Sequence, residues 1–156
     1  MKYKILFFIF CVFIIFQKNL FAEEIKINSS KIKVLEEGNI INALNVKVII
    51  PEKNIELEGD ESIYDKKNSQ LTIINNVKFL DKLKNVYLEG KKVIYNQIND
   101  IVQSFGETYI KIEDKYEVYS YDLFYDRKSQ KIYSNKETII KDNKNNVFNL
   151  EDSFVF

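Results

Sequence analysis

The strongest constraint on this chain is that it repeats itself at a short, nearly fixed interval. Displaced by 31 residues, Ser62-Ile63-Tyr64-Asp65 falls on Val93-Ile94-Tyr95-Asn96, and a further 30 reaches Leu123-Phe124-Tyr125-Asp126. The same shifts carry Val46-Lys47-Val48 onto Val77-Lys78-Phe79, then Thr108-Tyr109-Ile110 and Thr138-Ile139-Ile140, and they carry Ile40 onto Leu71, Val102 and Ile132. Four units fit. A unit this short cannot bury an apolar face alone, so repetition at this interval implies supersecondary units that bury their faces against one another.

Within a unit the apolar residues recur at every second position, the period of a strand whose two faces differ. Val77 and Phe79 point together, opposite Lys78, as Val46 and Val48 do opposite Lys47; that face is inward, and Thr108, Ile110, Thr138 and Ile140 continue it as an apolar strip along the stack. The strip suits a core or the lining of a groove. Alternation does not decide between the adjacent Ile63 and Tyr64. Asn, Asp, Ser and Lys recur between the apolar runs, as at Lys66-Lys67-Asn68-Ser69 and Gln97-Ile98-Asn99-Asp100, because these side chains support bends locally. They place three turns in each unit, separating three strand segments. Pro51, the only proline, falls at a corner, where its missing N–H costs the sheet nothing. With only four glycines and no helical periodicity, nearly all of the chain after residue 22 reads as β, in one domain spanning 23–156. Phe148 to Phe156 ends as an apolar strand where a fifth unit would begin, which suggests that the domain is truncated at its C-terminal end.

Met1 to Ala22 reads as a secretory signal: Lys2 and Lys4 precede a 12-residue apolar run, Ile5 to Phe16, too short to span a bilayer, and Leu20-Phe21-Ala22 ends on a small residue. Cys11 lies inside it, so the exported chain has no cysteine and no disulfide. Removal of Lys2, Lys4 and Lys18 leaves 20 basic residues against 23 acidic ones, a net charge of −3, without the basic patch of a nucleic-acid binder. The absence of histidine and of mature cysteine argues against zinc sites and Cys–His or Ser–His catalysis. The acidic pairs Glu23-Glu24, Glu36-Glu37 and Asp60-Glu61 fall at turns and termini, where solvation is the default. No enzymatic activity, metal or cofactor is expected.

The signal segment, the opening Ile25-Lys26-Ile27-Asn28-Ser29, and the recurring small-x-Tyr-Asp followed by a polar turn and an extended strand together resemble the OstA-like family. That family comprises the periplasmic lipopolysaccharide transport proteins LptA and LptC and the N-terminal domain of LptD. The resemblance covers about residues 24 to 156 and is strongest to the LptD domain. It implies a β-jellyroll or β-taco, two sheets splayed into a V with an apolar groove through which acyl chains slide, and an inner-membrane ATPase elsewhere to drive them. It turns Tyr64, Tyr95 and Tyr125 inward with Ser62, Val93 and Leu123, leaving Ile63, Ile94 and Phe124 outside. The implied lining is Ile25, Ile27, Val46, Val48, Tyr64, Val77, Phe79, Tyr95, Ile110, Tyr125 and Ile140. The glycine that opens the family's long strand appears here only as Gly106, with Leu44, Asn75 and Lys136 in register elsewhere. Implied partners are lipopolysaccharide, other Lpt jellyrolls joined edge to edge, and an outer-membrane assembly partner; the implied location is the periplasm, at the outer membrane if the chain belongs to an LptD. If Ala22 is not a cleavage site, LptC-like anchoring follows instead. The alternative reading is a structural or adhesive β-solenoid with a filled core, a tyrosine ladder that serves stability, and no lipid.

Overall fold

A computed structural model describes residues 24–151 and the backbone of 154–155. The expected signal segment, 1–22, lies outside the described residues. Strands follow one another as β1 (Lys26–Asn28), β2 (Lys31–Leu35), β3 (Ile40–Ile50), β4 (Ile55–Asp65), β5 (Gln70–Asp81), β6 (Val86–Asn96), β7 (Ile101–Ile112), β8 (Tyr116–Tyr121), β9 (Phe124–Asp126), β10 (Lys131–Ser134), β11 (Thr138–Asp142), β12 (Val147–Leu150) and β13 (Phe154–Val155). Every pairing is antiparallel, and β3 to β7 form a meander of long strands, each joined to the next by a short turn.

These long strands would form a flat sheet if their ladders ran unbroken, and they do not. Between β4 and β5 the pairing runs Glu58 to Lys78 and resumes at Glu61 to Ile74, so β5 has one more residue than β4 in the gap. Between β6 and β7 the same happens between Gly90–Thr108 and Lys92–Phe105, with the extra residue on β7. Such bulges bend a strand and increase its twist. Here they line up across neighbouring strands and crease the sheet into two leaves. The valine leaf takes β1, the second half of β3, the first half of β4, and their counterparts through β8, β11 and β12; the tyrosine leaf takes β2, the remaining halves, β9, β10 and β13.

The crease needs backbone that ordinary side chains resist. Asn45, Asn75, Asn76 and Asp122 all have φ between 48° and 60°, and Gly106 has φ 80°. Asn and Asp tolerate this left-handed region through local hydrogen bonds, and of these residues Asn75 stands in register with Gly106. The opposing strand contributes small residues: a Cβ on Gly59 would lie 2.4 Å from Ile73 Cγ2.

The three-turn reading of each unit is therefore corrected. Two of the three corners are true turns, with left-handed Asn54, Asn85 and Asn145 at one end and Ser69, Asp100 and Gln130 at the other. The third, at Gly59-Asp60 and Gly90-Lys91, is the crease within a continuous strand, and only in the last unit does it become a real break, between β8 and β9. The segment boundaries stand; the chain bends there without leaving the sheet.

Burial settles the facing that alternation leaves open. Ser62, Val93, Tyr95, Leu123 and Tyr125 are buried and Tyr64 partly so, while Ile63 is 40% exposed. Ile94 and Phe124 are only half-exposed, because cross-strand neighbours cover them: Ile94 lies between Thr72 and Gln103, and Phe124 stacks on Tyr133 at 5.2 Å between ring centroids.

Gly106→Asn is expected to leave stability nearly unchanged, whereas Gly106→Val costs about 1–3 kcal/mol because a β-branched residue resists positive φ. Gly59→Ala costs a similar amount, about 1–3 kcal/mol, by overpacking against Ile73. Urea unfolding of the three variants measures both.

Candidate functional site

The space between the leaves is the candidate site, and the sequence-derived lining residues all turn into it. Val46, Val48, Val77, Phe79, Ile110 and Ile140 project from the valine leaf, and Tyr95 and Tyr125 from the tyrosine leaf, all buried. Tyr64, Ile25 and Ile27 are partly buried and pack against the same core. Leaf meets leaf directly: the Phe79 and Tyr125 rings pack edge to face with centroids 6.3 Å apart. Because Phe79 belongs to β5 and Tyr125 to β9, the leaves are offset by several strands, as expected when two twisted sheets cross.

At the open side of the V, opposite the crease, the two rims are joined by a buried polar cluster. Arg127, the chain's only arginine, follows β9 on the tyrosine-leaf rim, and its side chain is 4% exposed. Its Nε donates to Asp81 Oδ2 at 2.7 Å and its Nη2 to the Lys53 carbonyl at 3.0 Å, both on the valine-leaf rim. Its Nη1 donates to Asp100 Oδ1 at 2.7 Å on its own rim. The Tyr95 hydroxyl donates to Asp100 Oδ1 at 2.7 Å and the Tyr125 hydroxyl to Asp81 Oδ2 at 3.1 Å. Asp81 Oδ1 accepts the backbone N–H groups of Leu83 and Lys84, fixing the β5–β6 turn, and the Lys53 ammonium lies 3.7 Å from Asp100 Oδ2. Two carboxylates, one guanidinium and one ammonium thus balance in charge, which is what permits them in a low-dielectric place.

The electrostatics follow from the geometry. Burial opposes the charge on Arg127, but hydrogen bonds to Asp81 and Asp100 outweigh it and hold the guanidinium pKa above its ordinary value. Burial likewise raises the Asp100 pKa, and the Tyr95 and Arg127 hydrogen bonds more than offset this, so the carboxyl stays below the usual range. Burial, reinforced by the Asp81 charge, pushes the Tyr125 hydroxyl pKa up and keeps it a donor.

The clasp divides the interior. On its β1 side Val48, Ile50, Ile55, Leu57, Leu71, Ile73 and Phe79 have no exposure at all. On its β12 side Val102, Ile110, Val118 and Leu123 are equally closed, but the rim loosens: Ile112 is 8% and Ile140 7% exposed, and Tyr116 is half-exposed. There a cavity of ≈ 240 Å³ enters between the rims, lined inside by Val86, Ile112, Tyr116, Tyr125 and Ile132 and also by the polar Lys84, Glu113 and Gln130. A larger depression, ≈ 540 Å³, lies outside the V on the outer face of the valine leaf, where Tyr109 and Tyr119 meet at 5.1 Å between centroids and Tyr121 donates to Glu107. Among the described residues no three His, Cys, Asp or Glu are grouped to hold a metal, and no helix is long and apolar enough to cross a membrane.

The residues expected to face inward are buried or partly buried between the leaves, and sequence reasoning missed the clasp. Asp81, Asp100 and Arg127 read as ordinary turn residues. The available signal was Arg127 itself, a lone arginine among lysines at a corner, since a planar guanidinium carries five N–H donors in a fixed fork that reaches partners on opposite sides.

Arg127→Ala, which strands two buried carboxylates, is expected to lower stability by about 3–5 kcal/mol, and Arg127→Lys recovers only part because one ammonium cannot span the same partners. Denaturant unfolding checks this. The depressed Asp100 pKa adds stability that is complete above the unfolded-state value of about 3.9 and is lost as pH falls through the folded value. Stability measured from pH 5 downward should therefore fall less steeply in Asp100→Asn than in the native chain.

The comparisons with known proteins agree with this architecture. The solved structure of LptH from Pseudomonas aeruginosa, described as the LptA-homologous periplasmic component of the conserved lipopolysaccharide transport device, superposes with a TM-score of 0.65 at 11% identity, over 82% of this chain and 94% of that one. The likeness establishes a shared jellyroll fold. No curated protein matches the sequence. The profile of the family described as OstA-like protein matches residues 45–152, more than half of the chain, from the middle of β3 through β12, and the chain belongs to that family.

Proposed function

We propose that this protein is a periplasmic component of lipopolysaccharide transport that shelters acyl chains between its two leaves. The observation that supports the reading most is the continuous inward strip of apolar side chains, from Val46 and Val48 through Phe79 to Ile110 and Ile140, between leaves hinged on one side only. Each methylene kept from water is worth about 0.8 kcal/mol, so a multi-chain glycolipid moves along such a strip far more cheaply than through water, its sugars remaining outside. The work is physical rather than chemical, and direction comes from elsewhere. The stack leaves strand edges at its ends. Those at β1 and at β12, where Val147 and Phe148 are about half-exposed, are suited to strand addition by another jellyroll. Assignment to the N-terminal domain of an LptD, with outer-membrane association and export by the segment at 1–22, is the finer form of this proposal.

A second reading is favoured by a specific observation. The β1 side of the interior is filled and the rims are tied, as in a purely structural repeat protein. Photo-crosslinking separates the two. A photoreactive residue at Ile140, facing inward, is expected to capture lipopolysaccharide in living Gram-negative cells, and one at Lys78, facing outward on the same leaf, is not. Silence at Ile140 in a folded chain would leave the structural stack as the better account.

A further inference from the structure

Resting on the lipid reading above, we propose that the Arg127–Asp81–Asp100 clasp is a barrier across the conduit, and that the cavity beside it is the port through which an acyl chain reaches the interior. Three observations converge. The cluster joins one rim to the other, so a chain lying in the V cannot pass along the open side without displacing it. At the valine-leaf rim the packing differs on its two sides: toward β1 Ile50 and Ile55 have no exposure, and toward β12 Ile112 is 8% exposed and Tyr116 half-exposed. The ≈ 240 Å³ cavity on the looser side is bounded by both leaves, Val86, Ile112 and Tyr116 from one and Tyr125 and Ile132 from the other.

The cavity and the clasp are mechanically linked. Tyr125 lines the cavity with its ring and holds Asp81 with its hydroxyl. Lys84, at the cavity mouth, takes its backbone position from the same carboxylate through its N–H. An apolar chain inserted against Tyr125 therefore presses on a group that holds the clasp, and further advance toward Phe79 requires the Tyr125–Asp81 and Arg127–Asp81 bonds to separate. The barrier is polar where the conduit is apolar. It yields to a chain pushed from behind and reseals when the chain has passed, since Arg127, Asp81 and Asp100 lose their partners for as long as it stays open.

The test uses the full chain with a photoreactive phenylalanine analogue in place of either Tyr116, at the port, or Tyr64, on the β1 side; both are half-exposed tyrosines that turn toward the core. Lipopolysaccharide capture in Gram-negative cells is expected to favour Tyr116 by about tenfold or more, a factor of ten in occupancy being roughly 1.4 kcal/mol. In Asp100→Asn, which weakens the clasp while keeping its shape, the preference is expected to shrink several-fold because Tyr64 gains, with the Tyr116 signal retained as evidence that the port still folds. Equal capture at both sites in the native chain would overturn the barrier while leaving lipid binding intact. Capture confined to Tyr116 in both backgrounds would overturn the role of the clasp. Capture at Ile140 without any at Tyr116 would overturn the port, and silence at all three sites would remove the lipid reading on which the proposal stands.

Discussion

A sheet of eleven- and twelve-residue strands has two faces, and a chain of this composition can cover only one of them by folding the sheet upon itself. Everything else depends on how that fold is made. The aligned bulges supply the bend, the left-handed Asn and Gly residues permit it, and Gly59 lets the strands approach at the hinge. Once the crease exists, every second residue of every strand points into the same space, and the apolar strip follows without further instruction. A crease also has an open side. A sandwich closed along both sides would be a core; one hinged along a single side leaves rims that must be tied, covered or used.

The chain ties them with charge. A guanidinium with two carboxylates, buried in a protein of modest size, contributes little net stability over an apolar plug, because each ion is stripped of water. What such a cluster adds is a defined closed arrangement whose partners are all satisfied only when the rims meet. It combines a high cost of partial opening with little reward beyond closure, which is the behaviour expected of a catch rather than of a core. Its place between a filled segment and a cavity is consistent with that.

Much of this was legible in the sequence for a physical reason: repetition multiplies weak signals. One Tyr-Asp or one Val-Lys-Val means little, but three or four at a fixed spacing fix strand facing, and the inward sets at Val46, Val77, Thr108 and Thr138 emerged from spacing alone. The facing of Ile63 against Tyr64 was not legible from alternation, since both residues tolerate burial; the family resemblance ordered them, and burial agrees. The count of three turns per unit was too high because the boundary between units, at Gly59-Asp60 and Gly90-Lys91, is a crease that bends a strand without taking it out of the ladder. The clasp was invisible because its partners are 46 and 27 residues apart, occur once rather than in every unit, and lie at turns where Asp is the common residue. Long-range polar contacts made once have no period to betray them.

The most direct measurement of the central claim is amide hydrogen exchange across the folded chain with and without lipopolysaccharide. If the space between the leaves is a conduit entered beside the clasp, lipid slows exchange at the rims around Ile112 to Tyr116 and Tyr125 to Ile132 and leaves the β1–β4 pairing unchanged at first contact. Exchange unaltered throughout, at lipid concentrations that saturate an LptA-type protein measured in parallel, would contradict the account and leave a filled, tied stack in its place.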